Sequence, residues 1–173
     1  MLTRKMIYTA LFASIGIILP QLIHLIGGQS LGPILLPIHL PVFIGAMLLG
    51  PRSGVLIAVV SLFIGFLIGM PTYPIIVFMF FEMITYGLVS GYLYYKLNLN
   101  IYVSLIGAKL SGMIVAIISI NIALSLTNVI LPPTFGSLAM FTIGLPGIII
   151  QLILVPIIVI RLKGVYVTHE GLS

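Results

Sequence analysis

The chain has 173 residues, 61% hydrophobic and 5% charged, with a mean hydropathy of +1.38. A soluble domain of that composition has no polar surface to offer water, so its solvent is lipid. Seven basic residues against two acidic ones give a formal net charge of +5, which here reports orientation across a bilayer and implies no nucleic-acid partner. Without cysteine, disulfide frameworks and thiolate metal sites are excluded.

Apolar runs of helical length, in place of alternating ten-residue segments, predict an all-α integral membrane protein and argue against a barrel. The expected spans lie at about 4–26, 34–50, 53–69, 74–96, 101–126 and 139–162, one six-helix membrane domain over 1–173. Uncharged Gly/Pro turns at 27–33, 70–74 and 127–138 alternate with the basic Arg4/Lys5, Arg52, Lys96 and Arg161/Lys163. Basic residues near spans stay inside, so both termini are expected in the cytoplasm. Lys109 is the basic residue that fits no loop.

Span 1 opens with Arg4 and Lys5 and then turns apolar, as a signal peptide does. No small-residue cleavage site precedes Gln21 and His24, so a retained helix is expected. Ala10 with Ser14, and Thr9 with Ala13, stand four residues apart toward its inner half, whereas Gln21 and His24 share a face near its outer end. The following Gly28-Gln29-Ser30-Leu31-Gly32 matches a nucleophile-elbow pattern. That motif works on a strand-to-helix turn with an acid orienting the histidine, and here it joins two membrane helices, so hydrolase chemistry is set aside. Its glycines instead permit a compact outer loop.

Spans 2 and 3 are short. About 17 residues rising 1.5 Å each reach roughly 25 Å against a core of about 30 Å, so both are expected to be irregular or shielded. Span 2 places Pro37 and Pro41 around His39, freeing backbone groups that need partners inside the protein or in a wet cavity, and so predicts a pocket near its outer end. Ser61, Gly65 and Gly69 in span 3, and Gly87 and Gly91 in span 4, have the spacing of close helix contacts in lipid. The Gly87/Gly91 stripe lies opposite Glu82, Thr85 and Tyr86, so span 4 has a packing side and a polar side. Lys109, Gly112, Ala116, Ser119 and Ala123 form a similar stripe in span 5. The two halves show no repeat of the kind that builds inverted-repeat transporters.

Glu82 and Lys109 each lie roughly 12 Å deep, from opposite surfaces. Intramembrane ionisable residues normally face the bundle interior, so the two either pair, share a polar group of a substrate, or are separately structural, with Lys109 snorkelling inward. His24 and His39 suit hydrogen bonding to a ligand or to freed carbonyls, and with no acid or thiol nearby no metal or other cofactor is expected. Asn121, Asn128, Tyr73 and Gln151 are weaker candidates that serve equally as caps, belt residues or helix bridges. No Gly-x-x-x-x-Gly-Lys-Ser/Thr phosphate loop is present to bind ATP, so the chain cannot pump alone. Three classes follow: a binding component of a larger transporter, a stand-alone ion-coupled transporter using Glu82, or an intramembrane enzyme built on Glu82 and Lys109.

Leu36-Pro37-Ile38-His39-Leu40-Pro41 running into Gly45-Ala46-Met47-Leu48-Leu49-Gly50-Pro51, then Phe81-Glu82 with Thr85-Tyr86-Gly87, resembles the substrate-binding S components of energy-coupling factor (ECF) transporters, closest in look to the pantothenate-type subgroup. The resemblance covers nearly the whole chain. It implies a non-enzymatic, multi-pass protein of a prokaryotic cell membrane that binds a water-soluble vitamin or precursor from outside, and that works with a transmembrane T component and two ATPases. It implies a pocket near the outer face built from spans 4–6 and the outer loops, where Glu82 and Asn128 fall, and a docking motif of small residues on span 1, matched by Ala10, Ala13 and Ser14. Lys109 would suit a carboxylate, favouring pantothenate, and Glu82 would suit hydroxyl or ring-nitrogen donors, favouring pyridoxine or a hydroxymethyl-pyrimidine. The residues expected at the ligand are Glu82, Lys109, His39, His24, Tyr86 and Asn128.

Overall fold

Apolar runs this long can close their backbone hydrogen bonds inside lipid only as helices, and every element of the computed structural model is one. It describes residues 2–28, 31–126 and 137–170, and among these, side chains other than those of 126, 137–141 and 165–170. The elements are α1 (Leu2–Gly27), α2 (Leu31–Leu35), α3 (His39–Leu49), α4 (Pro51–Ile68), α5 (Ile75–Gly91) ending in a π-helical turn (Tyr92–Lys96), α6 (Ile101–Leu126) and α7 (Ser137–Glu170). Together they provide six helical stretches long and apolar enough to cross a membrane, with α2 and α3 joined as the second, Leu31–Leu49. The second and third are the shortest, at 19 and 18 residues, as expected. α7 runs on to Glu170, well past the expected end near 162.

The break in the second span follows from Pro37. Proline disfavours the helical conformation of the residue before it, and Leu36 takes a left-handed φ of 50°. Proline also lacks the N–H that would continue the ladder. The chain therefore turns and restarts at His39, whose backbone N–H donates to the Leu36 carbonyl at 3.1 Å. The carbonyls freed by the break are covered by α7. Gly147 lies against the Ile34 and Leu35 carbonyl oxygens, where a Cβ would come within 2.6 Å and 2.7 Å, so only glycine allows the approach.

Helix α3 is the centre of the bundle, packed by α1, α4, α5 and α7. From Pro41 to Met47 every residue is buried, and Val42, Phe43 and Met47 join Ile57, Leu62, Met83, Leu105, Val155 and Val159 in one apolar cluster. Lipid tails are as apolar as these side chains, so close packing rather than dehydration holds them together. Large apolar side chains such as Ile7, Leu11, Phe63, Ile114 and Ile153 remain on the outside.

The small-residue stripes divide the work differently from the sequence expectation. Gly87 and Gly91 do pack backbone to backbone, but their partners on α4 are Gly54 and Pro51, which lie outside the expected Ser61/Gly65/Gly69 set. Ser61 instead turns to α1 and donates to the Ala13 carbonyl at 3.1 Å. Gly65 receives the chain as it folds back, accepting from the Met70 N–H at 2.9 Å, and Gly69 ends α4 with a left-handed φ of 109°, where glycine carries no steric penalty. On α6, Gly112 makes room for the Tyr86 ring, which a side chain there would strike.

At the end carrying the basic loops, Lys5 lies 5.5 Å from the Tyr95 ring centroid and Lys163 lies 5.2 Å from that of Tyr94. These contacts tie α1 and α7 to the π-helical turn.

Candidate functional site

Four ionisable or polar side chains expected from the sequence come together around α3. His39 enters from the first turn of α3, Glu82 and Tyr86 from successive turns of α5, and Lys109 from α6. Spacing of four puts Glu82 and Tyr86 on one face of α5, the side away from the Gly87/Gly91 contact with α4. Glu82, His39 and Tyr86 are 7%, 3% and 3% exposed, respectively, and Lys109 is half-buried.

The Tyr86 hydroxyl donates to Glu82 Oε1. Lys109 Nζ lies 3.3 Å from His39 Nδ1, 4.7 Å from the Tyr86 ring centroid and 5.3 Å from that of Phe43. The His39 and Tyr86 rings meet edge to face at 5.1 Å, and Phe43 and Tyr86 lie 5.0 Å apart. Tyr86 is thus the hub, with its hydroxyl on the acid and its face under the base. Glu82 and Lys109 make no ion pair among the described residues, where a nitrogen-to-oxygen approach within 4.0 Å would define one. The acid has Tyr86 as partner, and the cation has His39 and two aromatic faces. Aromatic faces attract a cation electrostatically, by about 0.5–2 kcal/mol depending on how far it is desolvated.

A second polar element, from α7, reaches the break between α2 and α3 just before His39. Gln151, fully buried, donates through Nε2 to the Leu36 carbonyl at 3.3 Å, the carbonyl that also takes the His39 backbone N–H. The buried His39 Nε2 and Gln151 Oε1 have no hydrogen-bond partner among the described residues. Buried polar atoms left in this way are rare because each costs about 1–3 kcal/mol.

The remaining candidates lie elsewhere. His39 was expected near the outer end of its span, yet it stands at the middle of Leu31–Leu49, because α2 adds helical residues beyond the break. His24 is outside the cluster: its Nδ1 is 3.1 Å from the Gly28 carbonyl and its ring lies against Gly32, so it organises the turn between α1 and α2. Asn128 lies outside the described residues. On α1, Ala10 and Ser14 are exposed, whereas Ala13 is buried against α4 and belongs to the interior face. Phe43 escaped the sequence reading. Its position four residues after His39, hence one turn on along the same face, was the available signal.

A family model for the substrate-specific component of ECF transporters matches residues 4–159. The chain belongs to this family. Searches of curated proteins and of solved structures gave no match. As an ECF S component it is a multi-pass protein of the cell membrane that binds a vitamin-like substrate for uptake and works with T and ATPase components. Membership also makes it a binding subunit and not an enzyme. The polar cluster in this S component draws on α3, α5 and α6, with Gln151 of α7 at the break that precedes α3, so the second span contributes as well as the later ones.

Proposed function

We propose that the cluster of His39, Glu82, Tyr86 and Lys109 is the ligand site of this S component, and that its ligand is a small anionic vitamin-class molecule, pantothenate first. The observation that carries this reading is Lys109, an intramembrane cation that makes no direct ion pair with a carboxylate among the described residues, Glu82 acting on it only from a distance, and that has aromatic faces and an imidazole beside it. A charge in that position is costly until an anion joins it. A ligand carboxylate would meet Lys109, and hydroxyl or amide donors would meet Glu82, which keeps acceptor capacity beyond the Tyr86 bond. The aromatic faces beside Glu82 favour a second group of ligands, pyridoxine or a hydroxymethyl-pyrimidine, whose ring would stack there and donate to the acid. In this reading the exposed Ala10 and Ser14 dock the T component. His24 shapes the outer loop, and Asn128 is an additional outer contact.

The test is calorimetric titration of the purified full chain in detergent with pantothenate, pantothenyl alcohol, pyridoxine and hydroxymethyl-pyrimidine. Pantothenate should bind best, and Lys109→Met should weaken it roughly tenfold to a hundredfold, the worth of one hydrogen bond to a charged group. The same variant should leave the weaker binding of pantothenyl alcohol nearly unchanged. Tight binding of pyridoxine or the pyrimidine that is lost in Glu82→Gln and kept in Lys109→Met would replace the anionic reading with the second one.

A further inference from the structure

The two unpartnered atoms belong to residues that meet at the Leu36 carbonyl, His39 through its backbone N–H and Gln151 through Nε2, and they have definite hydrogen-bonding roles. The Leu36 oxygen can only accept, so the end of Gln151 facing it at 3.3 Å is the amide nitrogen, and the free Oε1 is an acceptor. An ammonium can only donate, so His39 Nδ1, which meets Lys109 Nζ at 3.3 Å, is an acceptor. A neutral imidazole then carries its proton on Nε2, and the free ring atom of His39 is a donor. The donor belongs to α3 and the acceptor to α7, and both residues are anchored on one carbonyl at the break between α2 and α3. Both side chains are buried, at 3% and 0% exposure, which shuts out bulk water as the routine partner.

We infer that His39 Nε2–H and Gln151 Oε1 form a polar subsite that binds a ligand group carrying both a donor and an acceptor, a hydroxyl or a secondary amide, apart from the anionic end taken by Lys109. The ligand class is then a small carboxylate bearing a hydroxyl or an amide N–H away from its charge. A purely accepting group, such as an ester or a ketone, satisfies His39 and leaves Gln151 unpaired. The inference rests on the cluster being the ligand site, and it adds Gln151 of α7 as a specificity-determining residue.

Two measurements on the full chain in detergent test it. Nitrogen-15 spectra of histidine-labelled protein should show His39 as the Nε2–H tautomer, and an Nδ1–H tautomer would overturn the inference. Calorimetric titration then compares pantothenate with its analogue lacking the hydroxyls and with the ester that replaces its amide N–H. The wild type should prefer pantothenate to at least one of these by roughly tenfold, the worth of one buried hydrogen bond whose partner is otherwise left unmade. That preference should vanish in Gln151→Met, which keeps the length but removes the acceptor, and in His39→Asn, which retains a group near the Nδ1 position only. It should persist in His39→Gln, whose amide reaches the Nε2 position. If thermal unfolding shows Gln151→Met to be misfolded, the His39→Asn and His39→Gln pair decides alone. Unchanged preference in folded Gln151→Met, or no preference in the wild type, overturns this subsite and leaves Lys109 as the anion site. If none of the probes binds, the ligand site and the subsite fall together.

Discussion

Replacing Gly87 by alanine is the sharpest mechanical test of how the helices hold the polar cluster. A Cβ there would lie 2.5 Å from the Gly54 carbonyl carbon, 2.7 Å from its oxygen and 2.8 Å from the Val55 nitrogen. All three are backbone atoms of α4, so no rotamer change relieves the clash. Restoring ordinary contact requires α4 and α5 to part by about 0.9 Å, and overpacking of that kind typically costs about 1–3 kcal/mol. Because α5 also carries Glu82 and Tyr86, the same displacement moves the hub of the cluster relative to His39 and Phe43. Gly107→Ala is the control: its Cβ would meet only the tip of the Leu93 side chain, at 3.0 Å, and should change stability by less than about 0.5 kcal/mol. Thermal and denaturant unfolding in detergent, with ligand titration alongside, should therefore show Gly87→Ala losing stability and affinity together. Wild-type stability and affinity in Gly87→Ala would mean that the α4–α5 contact is looser than described and does not position the site.

Three further outcomes follow from the same geometry. A double-mutant cycle of Glu82→Gln and Tyr86→Phe should show a coupling of about 1.5–3 kcal/mol in unfolding free energy, the range for a hydrogen bond to a charged group, and additive losses would dissolve the hub role of Tyr86. Ala10→Phe, on the exposed face of α1, should cut uptake by the assembled transporter and leave ligand affinity intact, while lost affinity in an intact assembly would place that face at the ligand. Proteoliposomes holding this chain alone should bind ligand without accumulating it, and adding the T component and ATPases should restore uptake. Ion-driven accumulation by the chain alone would instead support a stand-alone transporter using Glu82.

The sequence made the spans legible because lipid imposes a single strong requirement, long apolar runs, and the described residues meet it six times. It also exposed Glu82, Lys109 and His39, since ionisable groups stand out against such a background. Partner identity was less visible. Gly87 and Gly91 could be marked as packing residues from their spacing, yet nothing local could tell that they meet Gly54 and Pro51. The depth of His39 was misjudged because the span was begun at about 34, whereas α2 carries it back to Leu31. Phe43 and the role of Gln151 were hidden for a related reason: one is an ordinary aromatic in an apolar run, and the other acquires meaning only through a carbonyl 115 positions earlier in the chain.

That long-range contact bears on how the protein is made. An 11-residue α3 rises about 16 Å, roughly half of a bilayer core, so it cannot cross as an independent inserted segment. The carbonyls at its broken start are covered by Gly147 and capped by Gln151, both of which are translated more than a hundred residues later. At about 5–20 residues per second, the ribosome needs some 6–23 s to supply them. Through that interval the second span carries backbone groups that hydrocarbon does not tolerate, so it has to wait beside the insertion machinery or at the headgroup level until α7 arrives. Biogenesis of the protein therefore ends where its broken helix is closed.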